Sequence, residues 1–358
     1  MKVSRFFKAI FKRYFITGLN GMALGLFSTL ITGLIIKQIG LLIGGDIGLI
    51  FSKIGIFASI CTGAGIGIGV AKALNCPDII IYSSAVTGFF GSYSTQIFAG
   101  KIFDESGQIL LSGAGDPVTA FLAVIFGIEL GRLVHKKTVV DIIVTPLTTI
   151  LSGCILGLII SPFVSYIINI ISNFIEISTN FQPFLMGIII SVVMGILLTL
   201  PVSSAAVAII LGLSGIAGGA ATVGCCAQMV GFAVMSFREN GINGLFAQGL
   251  GTSMIQISNI IKKPIIWIPP IIASAILGPI STIVFKMENI PTGAGMGTSG
   301  LVGQISTWQA MYNGENGLSL IIKILLLHFI LPAIITLIVS EFMRKKNLIK
   351  LNDLKLDL

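Results

Sequence analysis

The sequence predicts an all-α polytopic membrane protein with about ten transmembrane helices, some of them broken, and a glycine-rich re-entrant hairpin. Three observations predict it. Hydrophobic residues make up 54% of the chain and charged ones only 10%, where a soluble domain carries roughly 25% charged residues, and the mean hydropathy is +1.02. Apolar stretches of about 20 residues, the length that crosses a bilayer, recur along almost the whole sequence. Prolines fall inside several of these stretches, and one uncharged, glycine-rich stretch between them is too polar to span and too uncharged for a solvent loop.

Taken in order, residues 1–13 form a basic amphipathic segment, "KVSRFFKAIFKR", with Phe6, Phe7, Ile10 and Phe11 on one helical face and Arg5, Lys8 and Lys12 elsewhere. Such a segment lies in the membrane interface on anionic lipid. It is not read as a secretory signal, because the apolar run that follows, 14–36, is too long and lacks a small-residue cleavage site. Residues 14–343 then read as one membrane domain with spans near 14–36, 47–71, 79–100, 117–134, 139–168, 184–211, 215–236, 243–261, 264–285 and 319–342. The glycine content of 47–71 and 215–236 points to partly re-entrant segments. Residues 344–358 form a basic cytoplasmic tail.

The formal charge of +8 resembles a nucleic-acid signal until it is located. Residues 1–13 hold +5 (Lys2, Arg5, Lys8, Lys12, Arg13), and residues 344–358 hold +3 (Arg344, Lys345, Lys346, Lys350 and Lys355 against Asp353 and Asp357). The chain between them is neutral, so the charge marks both termini as cytoplasmic in a cell membrane, with no nucleic-acid partner. Counting from inside, Arg132, Lys136 and Lys137, and later Lys262 and Lys263, fall on that same side.

Isolated polar residues receive modest roles. Asp116-Pro117 reads as a helix cap with proline at the first position. Asp78 reads as a cap for the third span, and Glu129 as an interfacial ion-pair partner of Arg132. His328 reads as a packed histidine. The five cysteines show no C-x-x-C and only two histidines accompany them, so neither metal, disulfide framework nor cofactor is expected. A faint internal echo aligns Phe15, Gly18, Gly25 and Thr29 with Phe184, Gly187, Gly195 and Thr199 with one insertion, and membrane transporters are often built from such repeats.

The interruptions carry the functional expectation. In hydrocarbon, a broken helix survives only where protein or a watery cavity satisfies its freed backbone groups. "TLPVSSAAV" puts Pro201 deep in the sixth span with Thr199, Ser203 and Ser204 around it. It reads either as an unwound segment presented to a polar solute or as a kink whose serines bond back to the helix. The stretch "NIPTGAGMGTSGLVGQ", 289–304, contains G-x-G-x-x-G at Gly295, Gly297 and Gly300. A dinucleotide-binding turn would need a preceding strand and a soluble βαβ unit, whereas this stretch follows a membrane span. Its glycines permit close backbone approach, and Asn289, Thr292, Thr298, Ser299 and Gln304 supply neutral donors and acceptors. Those groups suit a hydroxyl-rich solute such as a sugar. The expected binding residues are therefore Ser203, Ser204, Asn289, Thr292, Gly295, Gly297, Thr298, Ser299 and Gln304. Glu288, just before the stretch, is the one candidate catalytic carboxylate, and glycine-mediated helix packing is the competing explanation.

With these segments in place, "FITGLNGMALGLFSTLITG", "GAGIGIGVA", "KKPIIWIPPIIASAILGP" and "PTGAGMGTSGLVGQ" together resemble the membrane-embedded enzyme IIC-like family of the bacterial sugar phosphotransferase system. The resemblance points to the branch that includes the clostridial perfringolysin regulator, and it covers about residues 14–343. It implies a homodimeric permease, surrounded by lipid, that holds a sugar while a separate cytoplasmic IIB protein phosphorylates it. The chain has no room for the IIA and IIB domains themselves, so any phosphotransferase activity depends on that partner. The same resemblance leaves open a transporter-derived sensor or regulator that binds a solute without phosphotransfer.

Overall fold

The computed structural model describes residues 10, 12–100, 102, 107–111, 113–312 and 316–356, with only the backbone at Leu42 and Ile210. Apart from Ile10, Lys12 and Arg13, the expected amphipathic segment at 1–13 lies outside the described residues. The chain is helical, with no strand among the described residues and an isolated antiparallel bridge joining Gly215 to Asn289. It divides into two compact units, Met1–Ile167 and Ile168–Leu358.

The first unit contains α1 (Lys12–Leu41), α2 (Gly45–Ile60), α3 (Thr62–Ala73), α4 (Asp78–Phe98), α5 (Pro117–Val134) and the start of α6 (Asp141–Thr179). Helix α2 meets α3 at a 49° bend beside Cys61, which makes the predicted 47–71 element a broken or re-entrant pair. Helix α1 crosses α3 so closely that a Cβ at Gly25 would collide with the Gly65 carbonyl, the small-residue contact that lets membrane helices approach. Hydroxyls on α4 are spent inside their own helix: Ser83, Ser84 and Thr87 donate to the carbonyls of Ile79, Ile80 and Ser83. The Asp116 carboxylate caps α5 by accepting from the Val118 and Thr119 amides, with Pro117 first in the helix as expected. The α4 cap differs from expectation: Pro77 occupies the cap position, and Asp78 starts the helix without a side-chain cap bond. Glu129 pairs with Arg13 at 2.6 Å and with Arg132 at 3.8 Å.

The second unit contains the end of α6, then α7 (Pro183–Thr199), α8 (Ser204–Ile210), α9 (Gly215–Met235), α10 (Phe237–Phe246), α11 (Ile257–Lys262), α12 (Pro264–Val284), α13 (Val302–Met311) and α14 (Gly317–Lys345). Six helices among the described residues are long and apolar enough to cross a membrane, or seven with α2–α3 counted as one bent span.

Several predicted spans differ. The 184–211 segment is cut at Pro201, where Leu200 takes an extended conformation and no amide is available to continue the ladder. The 243–261 segment is not one helix: it runs through a π turn at Ala247–Gly251, an extended Thr252, a 3₁₀ turn at Ser253–Gln256 and then α11. The 139–168 span continues to Thr179 as a 39-residue helix. Helix α9, expected to be partly re-entrant, is instead continuous, and 89% of its most apolar window is buried, against 17% for α6. Its small residues explain both facts, since Gly218, Gly219, Ala220, Ala221 and Gly224 let neighbours close in on every side.

Candidate functional site

Three interruptions of the chain meet on the continuous helix α9. The first is the break after α7. Thr199, its last residue, is fully buried and lies 2.8 Å from the Ser253 hydroxyl and 3.3 Å from Gln228 Oε1. Ser253 begins the 3₁₀ turn of the second interruption, 247–256. Gln228, on α9, also accepts a 2.9 Å hydrogen bond from the Trp267 indole of α12. That bond fixes the amide orientation, so Gln228 Nε2 points elsewhere, fully buried and with no hydrogen-bond partner. A buried amide with two unspent N–H donors is costly unless something accepts from them.

The third interruption is the glycine-rich stretch, which lies along α9 turn by turn. At its start the Asn289 amide N–H donates to the Gly215 carbonyl, and the Asn289 side chain donates to Thr222 Oγ1 at 2.7 Å and to the Gly303 carbonyl at 3.1 Å. One turn further along α9, Gly297 has φ +54°, and a Cβ there would stand 2.8 Å from the Cys225 carbonyl carbon. No residue with a side chain fits that position without strain. Next, Thr298 donates to the Gly249 carbonyl of the second interruption and lies 3.5 Å from Met229 Sδ. The first interruption joins as well, because Ser204 Oγ donates to the Gly295 carbonyl at 2.7 Å.

The structure thus brings together most of the residues singled out in the sequence. Ser204, Asn289, Gly295, Gly297, Thr298, Ser299 and Gln304 are all buried. Ser203 is half-buried and caps α8 by accepting from the Ala206 amide, so the kink explanation accounts for this serine. Thr292 and Glu288 are exposed and lie outside the buried cluster, Glu288 meeting Met311 Sδ only through its backbone N–H. The G-x-G-x-x-G match serves close packing on α9 and α8.

Sequence reasoning missed the residues contributed by intact helices and by the second interruption: Thr222, Gln228, Ser253 and Trp267. Gln228 was visible as the lone side-chain amide in an otherwise apolar 21-residue helix. His328 is fully buried, as a packed histidine should be, but its partner is polar: its Nδ1 lies 3.1 Å from Gln304 Nε2, which is also 3.5 Å from Cys226 Sγ. Gln304 and His328 are thus hydrogen-bonded neighbours, and the histidine tautomer decides which of them donates. His328 Nε2, Gln304 Oε1, Ser299 Oγ and Thr307 Oγ1 are all buried without a partner.

Buried polar atoms without a partner are therefore found at Gln228 Nε2 and, around Gln304, at His328 Nε2, Gln304 Oε1, Ser299 Oγ and Thr307 Oγ1. Among the described residues, no group of histidine, cysteine, aspartate or glutamate is placed to hold a metal ion. Polar groups on three chain breaks packed against an unbroken helix are compatible with a solute site inside a membrane domain. The family comparison agrees with that construction: the family described as "Phosphotransferase system, EIIC" matches residues 16–356. The chain belongs to the EIIC family. It is accordingly a multi-pass membrane component of phosphotransferase-type sugar transport. No curated protein matches the chain.

Proposed function

We propose that this EIIC protein translocates a neutral, hydroxyl-rich solute, and that the solute is held where the three interruptions meet on α9. The observation that carries this reading is the set of buried, uncharged and unspent polar atoms on Gln228, Ser299, Gln304 and His328. A sugar hydroxyl both donates and accepts, so it satisfies an N–H donor and a carbonyl acceptor together, whereas an anion would leave Gln304 Oε1 unpaired. Ser204, Asn289, Gly295, Gly297 and Thr298 shape the site through the backbone contacts described above, with Ser203 holding the α8 cap and Thr292 at the exposed rim of the stretch.

A separate cytoplasmic IIB protein then phosphorylates the solute, with both termini of this chain on the same cytoplasmic side and the protein working as a homodimer in the cell membrane. In that step the solute oxygen forms a bond to phosphorus as the bond from phosphorus to the partner breaks, and the hydroxyl proton must be accepted. Glu288 is not proposed as that acceptor, because it follows α12 at the end away from Lys262 and Lys263, the residues read as cytoplasmic.

The test is solute-dependent thermal stabilisation of the purified protein across sugars, sugar acids and small anions, because a ligand bound only to the folded state raises its apparent stability. A neutral sugar should stabilise the wild type, and Ser299→Leu and Gln228→Leu should abolish the shift. Stabilisation by anions alone would overturn the assignment of ligand class. A sugar that binds but is never taken up or phosphorylated in the presence of a IIB protein would make the chain a sensor instead.

A further inference from the structure

The expected cytoplasmic tail does not hang free of the second unit. After α14 the chain turns through Asn347 and Asn352, both with positive φ, and returns to the segment 236–263. There three amide side chains receive it. Asn240 Nδ2 donates to the Leu354 carbonyl at 2.8 Å while the Leu356 N–H donates back to Asn240 Oδ1 at 2.8 Å. Gln256 Nε2 donates to the same Leu354 carbonyl, and Asn259 Nδ2 to the Lys355 carbonyl, each at 2.9 Å. Gln248 braces the row by accepting from Gln256 and donating to Ser236 Oγ. Between these polar contacts Ile349 and Leu354 are buried, in a cluster with Phe232, Met235, Ile260, Ile266 and Met343. At one edge Asp353 accepts from Lys263 Nζ and from the Lys350 amide.

This is peptide recognition in form: amides hold the backbone of a turn closed by the Asp353 and Lys355 amides on the Lys350 and Asn352 carbonyls, and two apolar side chains fill a pocket. We propose that Asn240, Gln256, Asn259 and Lys263 form a docking groove for a turn-forming peptide with an apolar anchor preceded by an acidic residue, and that the chain's own segment 349–356 is its occupant, acting as a latch. Gln256 and Asn259 place the groove on the second interruption and α11, a segment that reaches the site through Ser253 to Thr199 and through Gly249 to Thr298. Occupancy therefore holds that interruption in place. This coupling rests on the site assignment above, while the groove itself does not.

The groove is tested on the full chain carrying Leu354→Asp, which alters the tail and leaves the groove intact. A tethered segment has an effective concentration in the millimolar range, so a labelled peptide of residues 347–356 should fail to bind wild type but bind the variant. The same peptide with aspartate at the position of Leu354 should bind neither. Trypsin should cut after Lys355 about tenfold faster in the variant, because opening exposes that bond. Equal cleavage in both proteins, or no peptide binding by a variant whose tail is cleaved fast, would overturn the groove. The latch is read separately by amide hydrogen exchange over 247–262, which should quicken in the variant. Unchanged exchange there would overturn the coupling while leaving the groove, and neither readout depends on finding the solute.

Discussion

The two units contain the same local device with different outcomes. In α1, Thr29 Oγ1 donates to the Gly25 carbonyl at 2.8 Å, and Gly25 marks the crossing with Gly65 of α3. In α7, Thr199 Oγ1 reaches the Gly195 carbonyl at 3.2 Å, and a Cβ at Gly195 would stand 2.7 Å from the Gly224 carbonyl of α9. These are the residues that the internal echo in the sequence aligns. Yet α1 continues as helix to Leu41, whereas α7 stops at Thr199, before Pro201. The stop leaves Thr199 at a helix end, where it also meets Gln228 and Ser253. A glycine–threonine turn is thus a packing element when the helix runs on and part of a polar site when a proline ends it.

Burial separates the units more sharply still, and that gives the largest expected effect. Arg344 and Glu239 pair at 2.8 Å with side chains 9% and 0% exposed, whereas Arg13 and Glu129 in the first unit are 39% and 33% exposed. Arg344→Met should cost about 3–5 kcal/mol by stranding the buried carboxylate, and Arg13→Met about 0–1 kcal/mol. Thermal unfolding of the two variants measures this, and equal shifts would erase the contrast. The next effect concerns the hairpin. Gly297→Val combines a left-handed φ with a collision at Cys225 and should cost about 2–4 kcal/mol, whereas Gly212→Ala, with φ +59° and open space around it, should cost about 1–2 kcal/mol. A smaller pair of substitutions addresses the comparison directly. Thr199→Val should weaken solute binding about tenfold, which is about 1.4 kcal/mol. Thr29→Val should leave binding unchanged and cost under about 1 kcal/mol of stability. Loss of binding in Thr29→Val would show that the site is not confined to the second unit.

Much of this was legible in the sequence because hydropathy and proline position act locally. The membrane class, the α2–α3 break, the Asp116 cap and the break at Pro201 all follow from a residue and its near neighbours. The glycine-rich stretch announced itself through its lack of charge. The role of α9 was hidden for the opposite reason: glycine-rich composition reads the same whether a helix is re-entrant or packed on all sides, and only tertiary contact decides which. Thr222 and Ser253 were invisible, and Gln228 stood out without a role, because they become a group through contacts between residues 29 to 54 positions apart or more. The tail misled in another way. Its five basic residues dominated the reading, while Ile349 and Leu354, which anchor it, are two ordinary apolar residues in a polar stretch.

That tail supplies the smallest expected effect, and its sign follows from Asp353. Burial alone would raise the Asp353 pKa, but hydrogen bonds from Lys263 and the Lys350 amide, with the positive charges of both lysines, outweigh it and hold the carboxyl below its ordinary value. A carboxyl whose pKa is depressed in the folded state contributes stability above its unfolded pKa of about 3.9 and loses that contribution as pH falls through the folded value. Protection of the Lys355 bond should therefore be flat from neutral pH down to about pH 5 and fall only below about pH 4. Asp353→Asn should remove the acid step and leave a uniformly weaker latch. An acid step that survives in Asp353→Asn would place the titrating group elsewhere in the unit.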